Sequence, residues 1–145
     1  MQIMKIVSMH VNEECVQKLF AEHDDYMMNF LTEDKCYYTR YSEQENIEKV
    51  WLVSIDNHSA GCIAYRKKAD GVAEVKRLFI RKEYCGQGIA KCLLKTVERF
   101  AIEQGYHTLF LDTRITLEPA VSIYQAFGFQ IVFQQGLYIQ MEKRL

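Results

Sequence analysis

The stretch Cys85-Gly86-Gln87-Gly88-Ile89-Ala90 carries the densest chemical signal in the chain. It follows the run Glu74-Val75-Lys76-Arg77-Leu78-Phe79-Ile80 and opens a segment of helical spacing. A glycine-rich turn at the mouth of a helix is an anion site. The first amides have no partner inside the helix, the helix dipole adds positive potential, and glycine lets backbone close on a phosphate without a Cβ clash. Local charge agrees: from Lys76 to Arg99 stand seven Lys or Arg against Glu83 and Glu98, a surplus suited to a ligand with several phosphates. The loop is neither of two familiar nucleotide motifs. It lacks the Gly-Lys-Ser/Thr of a P-loop, and Lys91 stands where Gly-x-Gly-x-x-Gly needs its third glycine. His10, His23, His58 and His107 share no metal-like spacing, and the five cysteines form no Cys-x-x-Cys pair, so no metal is expected.

The elements that must position this loop follow from periodicity. Residues 2–9 alternate and predict a strand. Residues 12–31 predict a helix with Val16, Leu19, Phe20 and His23 on one face. Val50–Ile55 and Gly61–Tyr65 predict a hairpin joined by Asp56-Asn57-His58-Ser59, and Asp70-Gly71 predicts a tight turn into a third strand, Val72–Ile80. Ile89, Cys92, Leu93, Thr96, Val97, Phe100 and Ala101 then recur at helical spacing, with Gly105 where a C-terminal cap belongs. Thr108–Asp112 predicts a strand parallel to Val72–Ile80, because a strand, a helix and a strand of this length form a crossover unit. A short helix with Pro119 in its first turn and Gly128 past its end places Ala120, Ile123, Tyr124 and Phe127 on one face. Phe129–Phe133 and Leu137–Met141 close the chain as a hairpin around Gln134-Gln135-Gly136. The expected fold class is α/β (α+β): a mixed, mainly antiparallel sheet with one βαβ parallel step and about four helices, in one domain over residues 1–145.

Residues 74–90, together with Ala120-Val121-Ser122-Ile123-Tyr124-Gln125-Ala126-Phe127-Gly128-Phe129, resemble the GNAT superfamily of acetyl-CoA-dependent N-acetyltransferases. That family's Gln/Arg-x-x-Gly-x-Gly/Ala motif falls on Cys85 to Ala90, and its Tyr-x-x-x-Gly-Phe signature falls on Tyr124, Gly128 and Phe129. The order and separation of the two motifs are also similar. The resemblance implies acetyl-CoA as co-substrate, held by Leu78, Phe79, Ile80, Cys85, Gly86, Gln87, Gly88, Ile89, Ala90, Lys91 and Thr113. It implies that the strand before the loop parts from its neighbour, so that the backbone at Leu78 and Ile80 pairs with pantetheine and polarises the thioester carbonyl. It makes Tyr124 the general acid for the departing thiolate. It makes Glu74 the candidate base, eleven residues before Cys85, as in the family's histone-modifying branch; the competing role is an ordinary strand carboxylate paired with Lys76. Two positions depart from the pattern: Cys85 replaces the usual Gln or Arg, and Leu117 replaces a frequent Asn.

Bulk properties bound the rest. With 145 residues, 49% hydrophobic, the chain can bury one domain's core, and a net charge of -1 gives no general drive towards nucleic acid or membrane. Apolar runs of five or six residues span no bilayer, no secretory signal is evident, and cysteines without a disulfide pattern fit a cytoplasmic protein. Seven acids from Glu13 to Asp34 against Lys18 form a candidate acidic lip for a cationic amine, with a solvated helix face as the plainer alternative. Trp51, Tyr37, Tyr38 and Tyr41 fit either core or acceptor-site lining. Cys85, at a helix mouth, is a candidate reactive thiol. The acceptor is expected to be a small-molecule or peptide amine, and a homodimer is compatible with the family. The competing function is a non-catalytic acetyl-CoA-binding sensor on the same fold.

Overall fold

The computed structural model describes residues 2–30 and 46–145. Along them run β1 (Met4–Met9), α1 (Glu14–Phe30), β2 (Lys49–Ile55), β3 (His58–Ala69), β4 (Val72–Ile80), a 3₁₀ turn (Lys82–Tyr84), α2 (Ile89–Glu103), β5 (Thr108–Arg114), α3 (Glu118–Phe127), β6 (Gln130–Gln135) and β7 (Tyr138–Arg144). The strands form one seven-stranded sheet in the order β1-β2-β3-β4-β5-β7-β6. Every pairing is antiparallel except β4 with β5, the expected parallel step. Tyr37, Tyr38, Tyr41, Cys36, Glu33 and Asp34 lie outside the described residues.

Turn chemistry sets several boundaries. Asp56 and Asn57 both take positive φ, 49° and 69°, the pair of left-handed residues that matches the twist of a two-residue hairpin. The turn is therefore tighter than Asp56–Ser59, and β3 starts at His58. At the end of α2, Gly105 has φ 87°. Its N–H reaches the Ile102 carbonyl and the Tyr106 N–H reaches Ala101, both at 3.0 Å, which satisfies two carbonyls the helix leaves over. The last hairpin turns at Gly136-Leu137, so β6 runs on to Gln135 and β7 begins at Tyr138.

Two cores sandwich the sheet. On one face Trp51, Val53, Ile63, Tyr65, Val75, Leu109, Leu111, Ile139 and Met141 pack under Ile89, Leu93, Leu94, Val97 and Ala101 of α2. Trp51 is thereby core, packed edge-on to Phe100 with centroids 5.2 Å apart. On the other face Val16, Leu19 and Phe20 of α1 cover Val50, Leu52, Cys62 and Ala64. The expected face of α3 is observed: Ala120, Ile123 and Tyr124 line an opening in the sheet, and Tyr124 and Phe127 pack against the core on the α2 side. Val121 beside them is buried, and Ile123 stays 38% exposed because the face lies over that opening.

That opening has two causes. The parallel β4–β5 ladder covers only Val72–Glu74 against Thr108–Phe110 and then stops. Just beyond it, β4 carries a bulge: Ala64 faces Lys76 and Cys62 faces Phe79, so two steps on β3 match three on β4. Arg77, at φ 57°, takes up the extra residue. The bulge reverses the strand's facing. Before it Ala73 and Val75 point to the α2 side; after it Leu78 and Ile80 do, and Phe79 packs against the α1 core. A non-glycine residue in this region costs about 1–2 kcal/mol. The Arg77 side chain offsets that cost by bonding Asp24 at 2.7 Å, bonding the Phe20 carbonyl at 3.3 Å and lying 4.6 Å over the Phe20 ring.

Candidate active site

Where β4 and β5 part, a cleft of about 1490 Å³ runs through the sheet. Leu78, Ile80, Cys85, Ala90, Leu117 and Tyr124 line it on the side of α2 and α3. His23, Tyr26, Met27 and Phe79 line it towards α1, and Phe133, Tyr138 and Gln140 line it from the last hairpin. The cleft thus has a mouth on each face, one at the glycine loop and one under α1.

The glycine loop fits a diphosphate. Gly86 and Gly88 hold φ of 81° and 77°, and α2 starts without a side-chain cap. The first bond recorded at its mouth is from Cys92 N–H to the Gly88 carbonyl. Among the described residues, no protein acceptor takes the amides of Gly86 to Lys91. A Cβ at Gly86 or Gly88 would meet nothing within 4 Å, so the glycines serve the backbone angle and the approach stays open. The expected contact residues divide by kind. Leu78, Phe79, Ile80, Cys85, Ala90 and Thr113 line the cleft directly. Gly86, Gln87, Gly88 and Lys91 are exposed and not among the lining residues, and Ile89 is a correction: its side chain is core, 3% exposed, and only its amide is on offer. The β5-facing side of β4 at Leu78 and Ile80 is not laddered to β5, as an added strand requires. Cys85 presents an exposed thiol, 3.6 Å from the Arg81 carbonyl and 3.7 Å from that of Ile80.

Tyr124 sits half-buried in the cleft wall, edge-on to Phe129 at 5.9 Å. Burial, and then the negative charge of Asp112, push its hydroxyl up to about 12. The phenol stays protonated, and so a donor, across the working range.

Glu74 and Tyr124 are not brought together. Glu74 is 1% exposed, accepts from Arg66 Nε at 2.8 Å, lies 4.0 Å from Lys76 Nζ and is not among the residues lining the cleft. Its position is that of a paired strand carboxylate, at the last rung before the strands separate. Four acids line the cleft, Glu22, Asp25, Glu83 and Asp112; of these Asp112 is the one on β5, beside the point where the strands part, and sequence reasoning gave it no catalytic role. It alternates with the core residue Leu111 and therefore faces the α1 side. Tyr138 Oη donates to its Oδ2 at 3.0 Å, and Gln140 Nε2 donates to Tyr138 Oη at 2.9 Å. A charged residue near the C-terminal end of a parallel strand, inside an apolar run, was the available signal.

The α1 wall also differs from expectation. Asp24 binds Arg77, and Glu22 grips Arg81 with two bonds, Nε to Oε1 at 2.9 Å and NH2 to Oε2 at 2.7 Å. The bonds from Arg81 hold the Glu22 carboxyl below its ordinary range. Two acids of the expected lip are therefore neutralised by the arginines of β4 and its exit, which also trims the basic surplus. His23, read in the sequence as part of the apolar face of α1, lines the cleft. Burial, then the Arg77 charge, pull its imidazole down to about 3.

Comparison with known proteins agrees with this architecture. The model of the Acetyltransferase (GNAT) family matches residues 13–129. N-acetyltransferase 8 of Homo sapiens is 31% identical over 113 residues, which is 77% of this chain and 46% of that protein. The chain spans about half the length of the curated relatives it matches. Among solved structures, a putative acyl-CoA N-acyltransferase from Klebsiella pneumoniae superposes with TM-score 0.75 at 24% identity, covering 99% of this chain and 98% of the other. A GNAT family acetyltransferase from Elizabethkingia anophelis, with acetyl-CoA bound, superposes with TM-score 0.71 at 17% identity, covering 98% of each. With a family model matched from α1 to the start of the last hairpin, the chain belongs to the GNAT acetyltransferase family.

Proposed function

We propose that this chain transfers the acetyl group of acetyl-CoA to a primary amine in a single direct attack. The observation that carries this reading is the coincidence at one cleft of three features: open amides from Gly86 to Lys91, a β4 edge not laddered beyond Glu74, and the protonated Tyr124 hydroxyl. The loop amides hold the pyrophosphate, and the backbone of Leu78 to Ile80 aligns the pantetheine arm and draws on the thioester oxygen. The amine enters from the α1 mouth. Its nitrogen bonds to the thioester carbonyl carbon, the C–S bond breaks, Tyr124 protonates the departing sulfur, and the proton that then leaves the new amide nitrogen restores the phenol.

An amine of pKa near 10 arrives mostly protonated at neutral pH, so one proton must leave before attack. We assign that proton to Asp112 in preference to Glu74. Asp112 lines the cleft and is oriented by Tyr138, whereas Glu74 is engaged with Arg66 away from it. Much of the rate comes from holding the two reactants together, since well-oriented pairs gain effective molarities of about 10⁵ M or more.

The test is an acceptor screen with acetyl-CoA, read by product mass because the exposed Cys85 reacts with thiol dyes. Wild type forms acetylated amine; Tyr124→Phe and Asp112→Asn each lose about 100-fold or more in kcat while still binding acetyl-CoA. Binding without turnover on any amine would leave the chain a coenzyme-A-binding module. Loss of kcat in Glu74→Gln but not in Asp112→Asn would return the base role to Glu74.

A further inference from the structure

We propose that His23 is a specificity-determining residue: its Nε2–H reads a hydrogen-bond-accepting oxygen near the reacting nitrogen, so the preferred acceptor is an amine bearing a carbonyl or amide oxygen. This deepens the acetyltransfer reading and rests on it.

Arginine can only donate. Arg77 NH1 gives one hydrogen to Asp24 and shares the other between the Phe20 carbonyl at 3.3 Å and His23 Nδ1 at 3.4 Å, so Nδ1 is the accepting nitrogen and the neutral ring carries its hydrogen on Nε2. The guanidinium is itself fixed by Asp24 and the Phe20 carbonyl, and the imidazole lies against the Phe79 ring, centroids 5.4 Å apart and tilted by 31°. The tautomer and the ring plane are thereby set from two sides. His23 lines the cleft at the α1 mouth, and among the described residues no protein group bonds its Nε2. A fixed neutral donor on a substrate-facing wall calls for an acceptor atom on the substrate, because a site built to donate discriminates against ligands that cannot accept.

Charge at this mouth points the same way. A polyamine would need several acids to receive its cations. Glu22 and Asp24 are already bonded to Arg81 and Arg77, so a chain of ammonium groups meets Asp25 as the further α1 acid on the cleft wall, fewer acids than the composition of α1 suggests. An amine carrying a neutral oxygen asks for one donor and no extra acid.

The experiment compares His23→Phe and His23→Gln with wild type on glycinamide, β-alaninamide, 4-aminobutyramide, butylamine and spermidine. For each amine the readout is the ratio of wild-type to variant kcat/KM, in which the amine's own basicity cancels. His23→Phe keeps the contact with Phe79 but cannot donate. It is expected to lower kcat/KM about 3- to 10-fold on the best amide, to leave butylamine within about twofold, and to leave the KM for acetyl-CoA unchanged. His23→Gln, which can donate, restores part of the amide rate. An equal loss on butylamine and the amides, or spermidine as the best substrate of wild type, overturns the inference while acetyltransfer stands. Transfer to none of the five amines, with acetyl-CoA bound, overturns the enzymatic reading and this inference with it.

Discussion

The half-buried imidazole of His23 makes a quantitative statement about stability against pH. An unfolded histidine titrates near 6.5, and in the fold burial and Arg77 lower His23 to about 3. The sign follows from proton counting. Between those values the unfolded chain binds a proton that the native chain refuses. The stability contribution is therefore complete above pH 6.5 and falls as pH drops towards 3. At pH 5 the expected loss relative to pH 8 is about 2 kcal/mol, with a limiting slope of about 1.4 kcal/mol per pH unit. That is a large fraction of a typical domain stability of about 5–15 kcal/mol. The window from pH 6.5 to 5 lies above the ordinary range of carboxylates, so Glu22, whose folded carboxyl is lowered and whose contribution fades only further into acid, adds little there. Urea unfolding at pH 8, 7, 6 and 5 on wild type and His23→Gln measures the difference. The variant's stability should fall by about 2 kcal/mol less than that of wild type over this range. Parallel profiles for the two proteins, or an imidazole NMR titration with a midpoint near 6.5 in native wild type, would refute the reasoning.

Other outcomes follow from the same geometry. Tyr124, pushed up to about 12, keeps its proton throughout the usable range, so the kcat profile of wild type should show no alkaline decline below pH 10. A decline centred near pH 9 that Tyr124→Phe removes would contradict this. Glu74→Gln breaks a buried pair whose partner Arg66 is 22% exposed, and should cost about 3 kcal/mol of stability with kcat changed less than tenfold, checked by denaturation and turnover on one preparation. Gly86→Ala meets no steric obstacle but must hold φ near 81°, a strain of about 1–2 kcal/mol; the KM for acetyl-CoA should rise about 5- to 30-fold with kcat retained. Alkylation of the exposed Cys85 should raise that KM at least about tenfold; acetyl-CoA should protect the thiol and Cys85→Ser should be indifferent, as mass spectrometry and kinetics would report.

The order of strands and helices was legible because each element is locally consistent. Val16, Leu19 and Phe20 recur at helical spacing and are buried, Asp56-Asn57 turns a hairpin, and Gly105 caps α2. The glycine loop was legible for a related reason: a helix start exposes its amides whatever surrounds it. What the sequence hid was which side chains meet. Period-two reasoning carries facing along a strand only while the ladder is regular. Through Arg77 that rule fails, and one inserted residue decides that Phe79 faces α1 while Leu78 and Ile80 face α2. Glu74 lies before this shift and the cleft opens after it, so counting eleven residues back from Cys85 gave the right strand and missed the surroundings of the carboxylate.

Partnership across long separations was equally invisible. The acids of α1 read as a charged surface because their counter-ions stand more than fifty residues away, Asp24 with Arg77 and Glu22 with Arg81. Once those pairs are made, α1 is tied by two arginines to the strand whose bulge opens the cleft. The side chain that stabilises an unfavourable backbone angle at Arg77 is also the one that sets the tautomer of His23. A charge-preserving replacement at that position therefore tests both: lysine keeps a cation for Asp24 but loses the planar guanidinium that lies over the Phe20 ring and holds NH1 between Asp24, the Phe20 carbonyl and Nδ1. The opening of the cleft and the chemistry of its acceptor wall are in this sense one structural decision, taken at a single residue of β4.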